Sequence, residues 1–484
     1  MTFEITREIE HDMAPEVAEA FVRLATEYLA DTRDASQRVT TRHTPAEMAA
    51  RFAEPLPRAG RSVEAIVARL RADVIAESNH LYHPRYVGHQ VSASLPAAIW
   101  TEPLISALNQ SVAVFEMSPA GTAIETQVIR WMCELAGFGA GAGGTLTSGG
   151  TEATQTALLA ARAAAMPNAW AEGVGTNPPV VVYGEHAHYA VSRAVGTMGL
   201  GVKHAVKIPS RAHRMDVRAL RETLDRLAAE GRGVMAVVAT AGSTATGSFD
   251  DLDAIGALCE ERGLWLHVDG AHGASALLSA RHRHRVKGIE RAQSVAWDPH
   301  KMMLLPLSAG AVLVRDERRL EAAFAQQAPY LFHGAGSGER RWDQGTRSAQ
   351  CSRRMDVLKL WVALQRYGAD GIGALYDRLC EVARAMHDEI AARAEFEPMH
   401  EPECNILCFR WVGDGSADAA TLDAINRELR ERYNASGHGW ITATDLEGRR
   451  VLRVTIMNPR TTPEHCREVV DALAATGREI ARGR

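Results

Sequence analysis

Lysine is scarce in this sequence, and the scarcity narrows the chemistry. Of 484 residues, 54 are basic; 49 of these are arginine and five are lysine, namely Lys203, Lys207, Lys287, Lys301 and Lys359. A reaction that needs a lysine amine has those five candidates. Lys301 closes the run Asp298-Pro299-His300-Lys301, after an apolar stretch that reads as a strand, and is followed by Met302, Met303, Leu304 and Leu305. Apolar company disfavours an ammonium ion and helps supply the neutral amine that imine chemistry requires. The other four have plainer readings. Lys203 and Lys207 flank a short extended run, Lys287 adjoins the basic cluster Arg281 to Arg285, and Lys359 follows Asp356 by three residues, the spacing of a surface ion pair on a helix.

Two further features stand at the ends of strand-like runs. Leu264-Trp265-Leu266-His267-Val268-Asp269-Gly270 places a carboxylate where an apolar strand stops, 32 residues before Lys301; a single Asp-Gly pair is more often only a turn. Ser148-Gly149-Gly150-Thr151 follows the extended Thr145-Leu146-Thr147 and opens a helical run from Ala153 to Ala164. Small residues there let backbone amides and hydroxyls approach an anion at a helix N-terminus, although serine and glycine are also ordinary caps. Gly139, Gly141 and Gly144 satisfy GxGxxG, yet they follow a helix-like run and precede an extended one, the reverse of the order a dinucleotide fingerprint needs. An anion cradle, a strand-end carboxylate and an imine-forming amine are together what pyridoxal phosphate requires. The cradle seats its phosphate, the carboxylate keeps its pyridine nitrogen protonated, and the lysine binds its aldehyde.

The elements that must position these groups read as α/β. From about 120 to 315, β-branched runs (Val180 to Tyr183, Val234 to Ala239, Leu264 to Val268, Ser294 to Trp297, Ala311 to Val314) alternate with helical segments at 151 to 165, 216 to 229 and 250 to 262. That alternation predicts a mostly parallel sheet covered on both faces, with the ligand crevice at the carboxyl ends of its strands. Residues 1 to about 100 read as helices, one capped by Thr44 with Glu47 three residues on and another by Ser62. After about 345, strand candidates at 405 to 411, 439 to 444 and 451 to 456 alternate with helices at 418 to 433 and 463 to 480, which predicts a smaller α+β domain. The expected division is 1–100, 101–345 and 346–484.

Composition excludes several classes. A 46% hydrophobic fraction supports large cores, and 59 acidic residues leave a net charge of −5, no general footprint for nucleic acid. The seven cysteines form no CxxC pair, no apolar run is long enough to span a membrane, and the first ten residues lack the pattern of a signal peptide. A soluble cytoplasmic protein without a metal site, nucleic-acid partner or membrane partner is the expectation.

In its combined motifs the sequence resembles the group II pyridoxal-phosphate-dependent decarboxylases, a fold-type I family that includes glutamate, aromatic amino acid and diaminobutyrate decarboxylases. Besides the runs above, the resemblance is carried by His83-Pro84-Arg85-Tyr86-Val87-Gly88-His89, Ala107-Leu108-Asn109-Gln110-Ser111, and Leu452-Arg453 through Asn458-Pro459-Arg460-Thr461-Thr462. It implies that Lys301 holds the cofactor as a Schiff base and that Asp269 pairs with the ring nitrogen. His188, in Glu185-His186-Ala187-His188-Tyr189, matches the histidine that stacks on the ring, and Ala271 the small residue on its other face. Ser148, Gly149 and Gly150 fall on the phosphate cradle, and Thr244 and His300 on further cofactor contacts. Tyr330, 29 residues after Lys301, matches the tyrosine that returns a proton to the substrate α-carbon. Arg353 matches the arginine that binds the substrate carboxylate by paired hydrogen bonds, with Arg354 as the alternative.

The implied activity is decarboxylation of a small L-amino acid, polar or acidic side chains ahead of aromatic ones, to its amine and carbon dioxide. The implied assembly is a homodimer with active sites at the interface and residues 1–100 clasping the partner. Oxidative deamination to an aldehyde and carbon–carbon lysis are alternatives on the same scaffold. A nucleotide-binding or interaction protein without the cofactor is the alternative from another class.

Overall fold

The computed structural model of the chain describes residues 2–41, 43–325, 328, 331, 332 and 342–483. It forms two compact units, one of residues 90–384 with 400–407, the other of 1–89, 385–399 and 408–484. The second unit thus draws on both ends of the chain, which a division at 100 and 345 keeps apart.

The larger unit is built on seven strands: β1 (Gly143–Thr147), β2 (Val180–Gly184), β3 (Ala205–Ile208), β6 (Val234–Thr240), β7 (Trp265–Asp269), β8 (Ser294–Trp297) and β9 (Gly310–Val314). A two-strand hairpin, β4 (Ser210–Arg211) with β5 (Arg214–Met215), lies outside the sheet. The order is β1-β9-β8-β7-β6-β2-β3. β9 runs antiparallel to β1 and β8, and the remaining neighbours are parallel. The mostly parallel sheet expected from the β-branched runs is therefore present. Its central strands are mostly apolar because both faces are covered. The helix Gly150–Ala165 shows how: Ala153, Ala157 and Ala160 pack with Ala296, Val312 and Val314. Leu158 and Ala161 on the same helix join Val181, Tyr183 and Val238. Alanine on the contact face lets the helix lie close to the strands.

Because β1, β6, β7 and β8 run in one direction, their carboxyl ends deliver Ser148, Ala241, Gly270 and Asp298 to one edge of the sheet. That edge is where an open α/β sheet binds ligands.

The smaller unit carries helices and a sheet of order β10-β11-β13-β12, comprising Phe396–Pro398, Ile406–Trp411, Arg449–Thr455 and Thr442–Leu446 respectively. The short β10 has no signal of its own in the sequence, and β12 begins three residues later than its apolar run suggests. The helix Pro45–Arg51 starts at Thr44 with the reciprocal Thr44–Glu47 capping box, and Val63–Arg69 starts at Ser62. Its helical run continues as a π-turn from Leu70 to Ile75. All seven cysteines are free and six are buried. Among the described residues, no helix is long and apolar enough to cross a membrane, and no group of residues is arranged to hold a metal ion.

Candidate active site

A cavity of about 300 Å³ opens at the carboxyl edge of the large sheet, lined by the loops that leave β1, β2, β6, β7 and β8. Ser148, Gly149, Gly150, His188, Thr244, Asp269, Ala271, His300 and Lys301 all line it. Residues spread over more than 150 positions converge because parallel strands put their exits on the same side.

The strand exits are tight. A Cβ on Gly150 would stand 2.8 Å from Ala271 Cβ and 3.0 Å from Asp298 Oδ2, and one on Gly149 would stand 3.1 Å from His300 Cε1. The first two glycines of the Ser-Gly-Gly run therefore leave room that a side chain would fill. The other glycine-rich stretch differs. Cβ atoms on Gly139 and Gly141 would meet nothing within 4 Å, and the stretch runs from the helix Pro119–Leu135 into β1, helix before strand. Its order is opposite to that of a dinucleotide cradle, and of the three motif glycines only Gly144 is tightly packed, a Cβ there meeting Val312 O at 2.2 Å.

The carboxylate of Asp269, at the end of β7, accepts a hydrogen bond from Ala271 N at 3.2 Å. Burial pushes its carboxyl pKa up, against the pull of Lys301 and His188. A carboxylate that is buried yet so lightly bonded is stabilised by a cation or N–H placed in the cavity beside it. His188 accepts from Ala190 N through Nδ1 at 3.2 Å, which orients its ring, and burial lowers its pKa, with Asp269 opposing. His300 is held similarly, Nδ1 accepting from Ala309 N at 3.1 Å, and burial lowers its pKa, with Asp298 opposing.

Lys301 is less isolated than its apolar sequence neighbours suggest. Met302 to Leu305 are all buried, yet the Lys301 amine lies 3.0 Å from Asp298 Oδ2, which is also 3.5 Å from His300 Nε2. Asp298 Oδ1 is buried without a hydrogen-bond partner. Asp298, Thr240 and His272 line the cavity as well, and sequence reasoning singled out none of them. The sole local signal for Asp298 was its place three residues before the lysine. His272 is fixed by Asn405 Oδ1 at 2.7 Å and Gln90 Nε2 at 3.1 Å, partners too far along the chain for any sequence spacing to reveal.

Three expectations fare differently. Tyr330 lies outside the described residues. Arg353 does not line the cavity. Its guanidinium is committed to Glu125, with Nη1 to Oε2 at 2.9 Å and Nη2 to Oε1 at 2.5 Å, both side chains buried. A paired arginine was expected, and the carboxylate it pairs with is the protein's own. Arg354 is half-exposed and bonded to Glu102. Lys359 does pair with Asp356, at 3.3 Å, and with Glu102 at 2.8 Å, but it is fully buried rather than on the surface. In the basic cluster, Arg281, His282 and Arg285 pair with Glu381, Asp377 and Glu403, so much of its charge is answered by the same chain.

The donor set suits pyridoxal phosphate on the structure's own terms. The Ser148–Gly150 segment, with a hydroxyl at its first position and no side chains at the next two, fits its phosphate; Asp269 fits its ring nitrogen; Lys301 fits its aldehyde; and the orphaned oxygen of Asp298 marks a cavity made for polar contents.

Known proteins agree with this reading. The family described as "Pyridoxal-dependent decarboxylase conserved domain" matches residues 45–412. An L-2,4-diaminobutyrate decarboxylase of Rhizobium meliloti (strain 1021) is 33% identical over 428 residues, 88% of this chain and 84% of that protein. A cysteine sulfinic acid decarboxylase of Rattus norvegicus is 34% identical over 383 residues, 78% of this chain and 77% of that one. Among solved structures, that of mouse CSAD superposes with a TM-score of 0.89 at 29% identity, covering 96% of this chain and 99% of that chain. The chain belongs to the pyridoxal-dependent decarboxylase family: it is a carboxy-lyase that acts on an amino acid with pyridoxal phosphate as its cofactor.

Proposed function

We propose that the substrate is a small L-amino acid with a polar or acidic side chain, released as its amine and carbon dioxide. The observation that carries the reading is the convergence of Lys301, Asp269 and the Ser148–Gly150 segment on one cavity. Relatives named for diaminobutyrate and for cysteine sulfinate support the substrate class, since both are short and polar.

When bound, pyridoxal phosphate supplies an aldehyde for the substrate amine and a protonated ring that accepts the electron pair left by the departing carboxylate. The chain supplies the placement. Lys301 would hold the aldehyde of the bound cofactor, and Asp298, 3.0 Å from its amine, would orient that amine. Asp269 would keep a proton on the ring nitrogen, its buried position strengthening the interaction. His188 and Ala271 would flank the ring, and Thr244 and His300 would supply further contacts, all four lining the same cavity. Tyr330 is assigned the return of a proton to the α-carbon. The substrate carboxylate has no assigned partner among the cavity residues, because Arg353 is occupied by Glu125.

We also infer a cytoplasmic homodimer. Free, mostly buried cysteines suit a reducing compartment. Ile5, Ile9, Phe21 and Val22 on the N-terminal helices, and Met13 in the turn between them, are exposed apolar side chains that a second copy would cover.

A screen of the twenty amino acids with diaminobutyrate and cysteine sulfinate, scored by carbon dioxide release and amine formation, tests the function. Aldehyde with hydrogen peroxide in place of the amine would overturn it. Sedimentation tests the dimer, and a fully active monomer would count against it.

A further inference from the structure

The Glu125–Arg353 pair is too deeply buried and too well bonded to be incidental, and its position shows what it does. β1 is the edge strand of the large sheet, paired on one side only, with β9. On the open side its backbone donors need acceptors from elsewhere. Glu125, on the helix Pro119–Leu135, supplies one: its Oε1 accepts from Leu146 N at 3.0 Å and from the Thr145 hydroxyl at 3.3 Å. A carboxylate in that place is costly without a counter-charge, and Arg353 provides it. Arg353 is itself anchored, its carbonyl accepting from Val112 N at 2.9 Å and its N–H donating to Ser111 Oγ at 3.3 Å.

A second carboxylate repeats the pattern two residues further along. Glu152 Oε2 accepts from Ser148 N at 2.8 Å and from Gln350 Nε2 at 2.8 Å. Segment 350–353 therefore grips the same stretch of chain twice, each time through an acid that also takes a backbone N–H: Leu146 inside the strand, and Ser148 where the strand becomes the cradle. There is little slack to absorb a slip. A Cβ on Gly310, in the paired strand, would lie 2.5 Å from Gly149 Cα.

We propose that Arg353 and Gln350, acting through Glu125 and Glu152, are positioning residues that hold Ser148–Gly150 in the geometry required by the cofactor phosphate. This gives Arg353 a task on the phosphate side of the site in place of the substrate carboxylate. The proposal rests on the phosphate being seated at Ser148–Gly150.

The test compares the affinity of the apoenzyme for pyridoxal 5′-phosphate and for pyridoxal, which lacks the phosphate, in wild type, Arg353→Lys and Gln350→Leu. Arg353→Lys keeps the charge but not the two-point pairing; Gln350→Leu removes only a neutral amide and guards against a variant that fails to fold. Thermal midpoints of the apoenzymes report general stability. In both variants the preference for the phosphorylated form is expected to fall about tenfold, the order seen when residues supporting a site's direct ligands are lost. Substrate KM at saturating cofactor is expected to stay unchanged. A preference kept intact in both variants overturns the clamp. So does a raised KM in Arg353→Lys with the preference intact, which would return Arg353 to the substrate. A wild-type enzyme indifferent to the phosphate overturns the cofactor placement and the clamp with it.

Discussion

Asp298 Oδ2 lies 3.0 Å from Lys301 Nζ, three residues on, at the exit of β8. The two do not sit on a helix; the chain turns between them, with Lys301 N donating to the Asp298 carbonyl at 2.9 Å. The carboxylate is almost wholly buried, its second oxygen has no partner, and it is shared with His300. The lysine proposed to hold the cofactor thus has a fixed carboxylate neighbour. Replacing Asp298 by Ala is expected to lower kcat about 10²-fold while substrate KM changes little, and Asp298→Asn is expected to fall between. Steady-state kinetics at saturating cofactor decide it; an unchanged kcat in both variants would remove Asp298 from the mechanism.

Lys301→Ala is the most direct test of the site. The variant is expected to lose the visible absorption of the bound cofactor and at least about 10³-fold in turnover. Neither of the exposed lysines Lys203 and Lys207 should show this when replaced, and an absorption spectrum of each purified variant separates them.

The two glycine-rich stretches predict opposite outcomes. Gly150→Ala places a Cβ 2.8 Å from Ala271 Cβ and 3.0 Å from Asp298 Oδ2, so cofactor affinity is expected to weaken by about tenfold or more. Gly139→Ala and Gly141→Ala place theirs in open space and are expected to bind the cofactor as wild type does. Equilibrium dialysis of the three apoenzymes would reverse the assignment if the latter pair were the ones affected.

His267 gives the large unit an acid-sensitive point. It is fully buried in β7, its ring bonded to Ser294 Oγ at 2.9 Å and Thr154 Oγ1 at 3.4 Å, and burial holds its pKa down to about 3. An unfolded histidine titrates near ~6.5. Between those values the unfolded chain binds a proton that the native state refuses. The stabilising contribution is therefore complete above about pH 6.5 and is lost as pH falls, at up to ~1.4 kcal/mol per pH unit. Urea unfolding at a series of pH values should show a shallower acid loss for His267→Gln than for wild type. Equal slopes would mean that the ring titrates normally in the fold.

Much of the site was legible because its residues stand at strand ends, and strand ends are marked locally: an apolar run stops, and a small or charged residue follows. Asp269, Lys301 and Ser148–Gly150 carry that mark. His188, Ala271, Thr244 and His300 came instead from likeness to a family. The fate of Arg353 was not legible in either way. A paired arginine can meet a substrate or the protein's own acid, and its partner Glu125 lies 228 residues away.

The sequence by itself determined the strand–helix alternation of the large unit, the helix starts at Thr44 and Ser62, and which lysine was the candidate for the cofactor. These depend on side-chain periodicity, on capping and on residue type, all of which act over a few residues. Only the tertiary structure decided which acid stands beside Lys301, which acid takes Arg353, and which side chain meets the open edge of β1 at Leu146. Those outcomes follow from parallel strands bringing distant exits together, and from buried charges and backbone donors having to find partners wherever the fold places them.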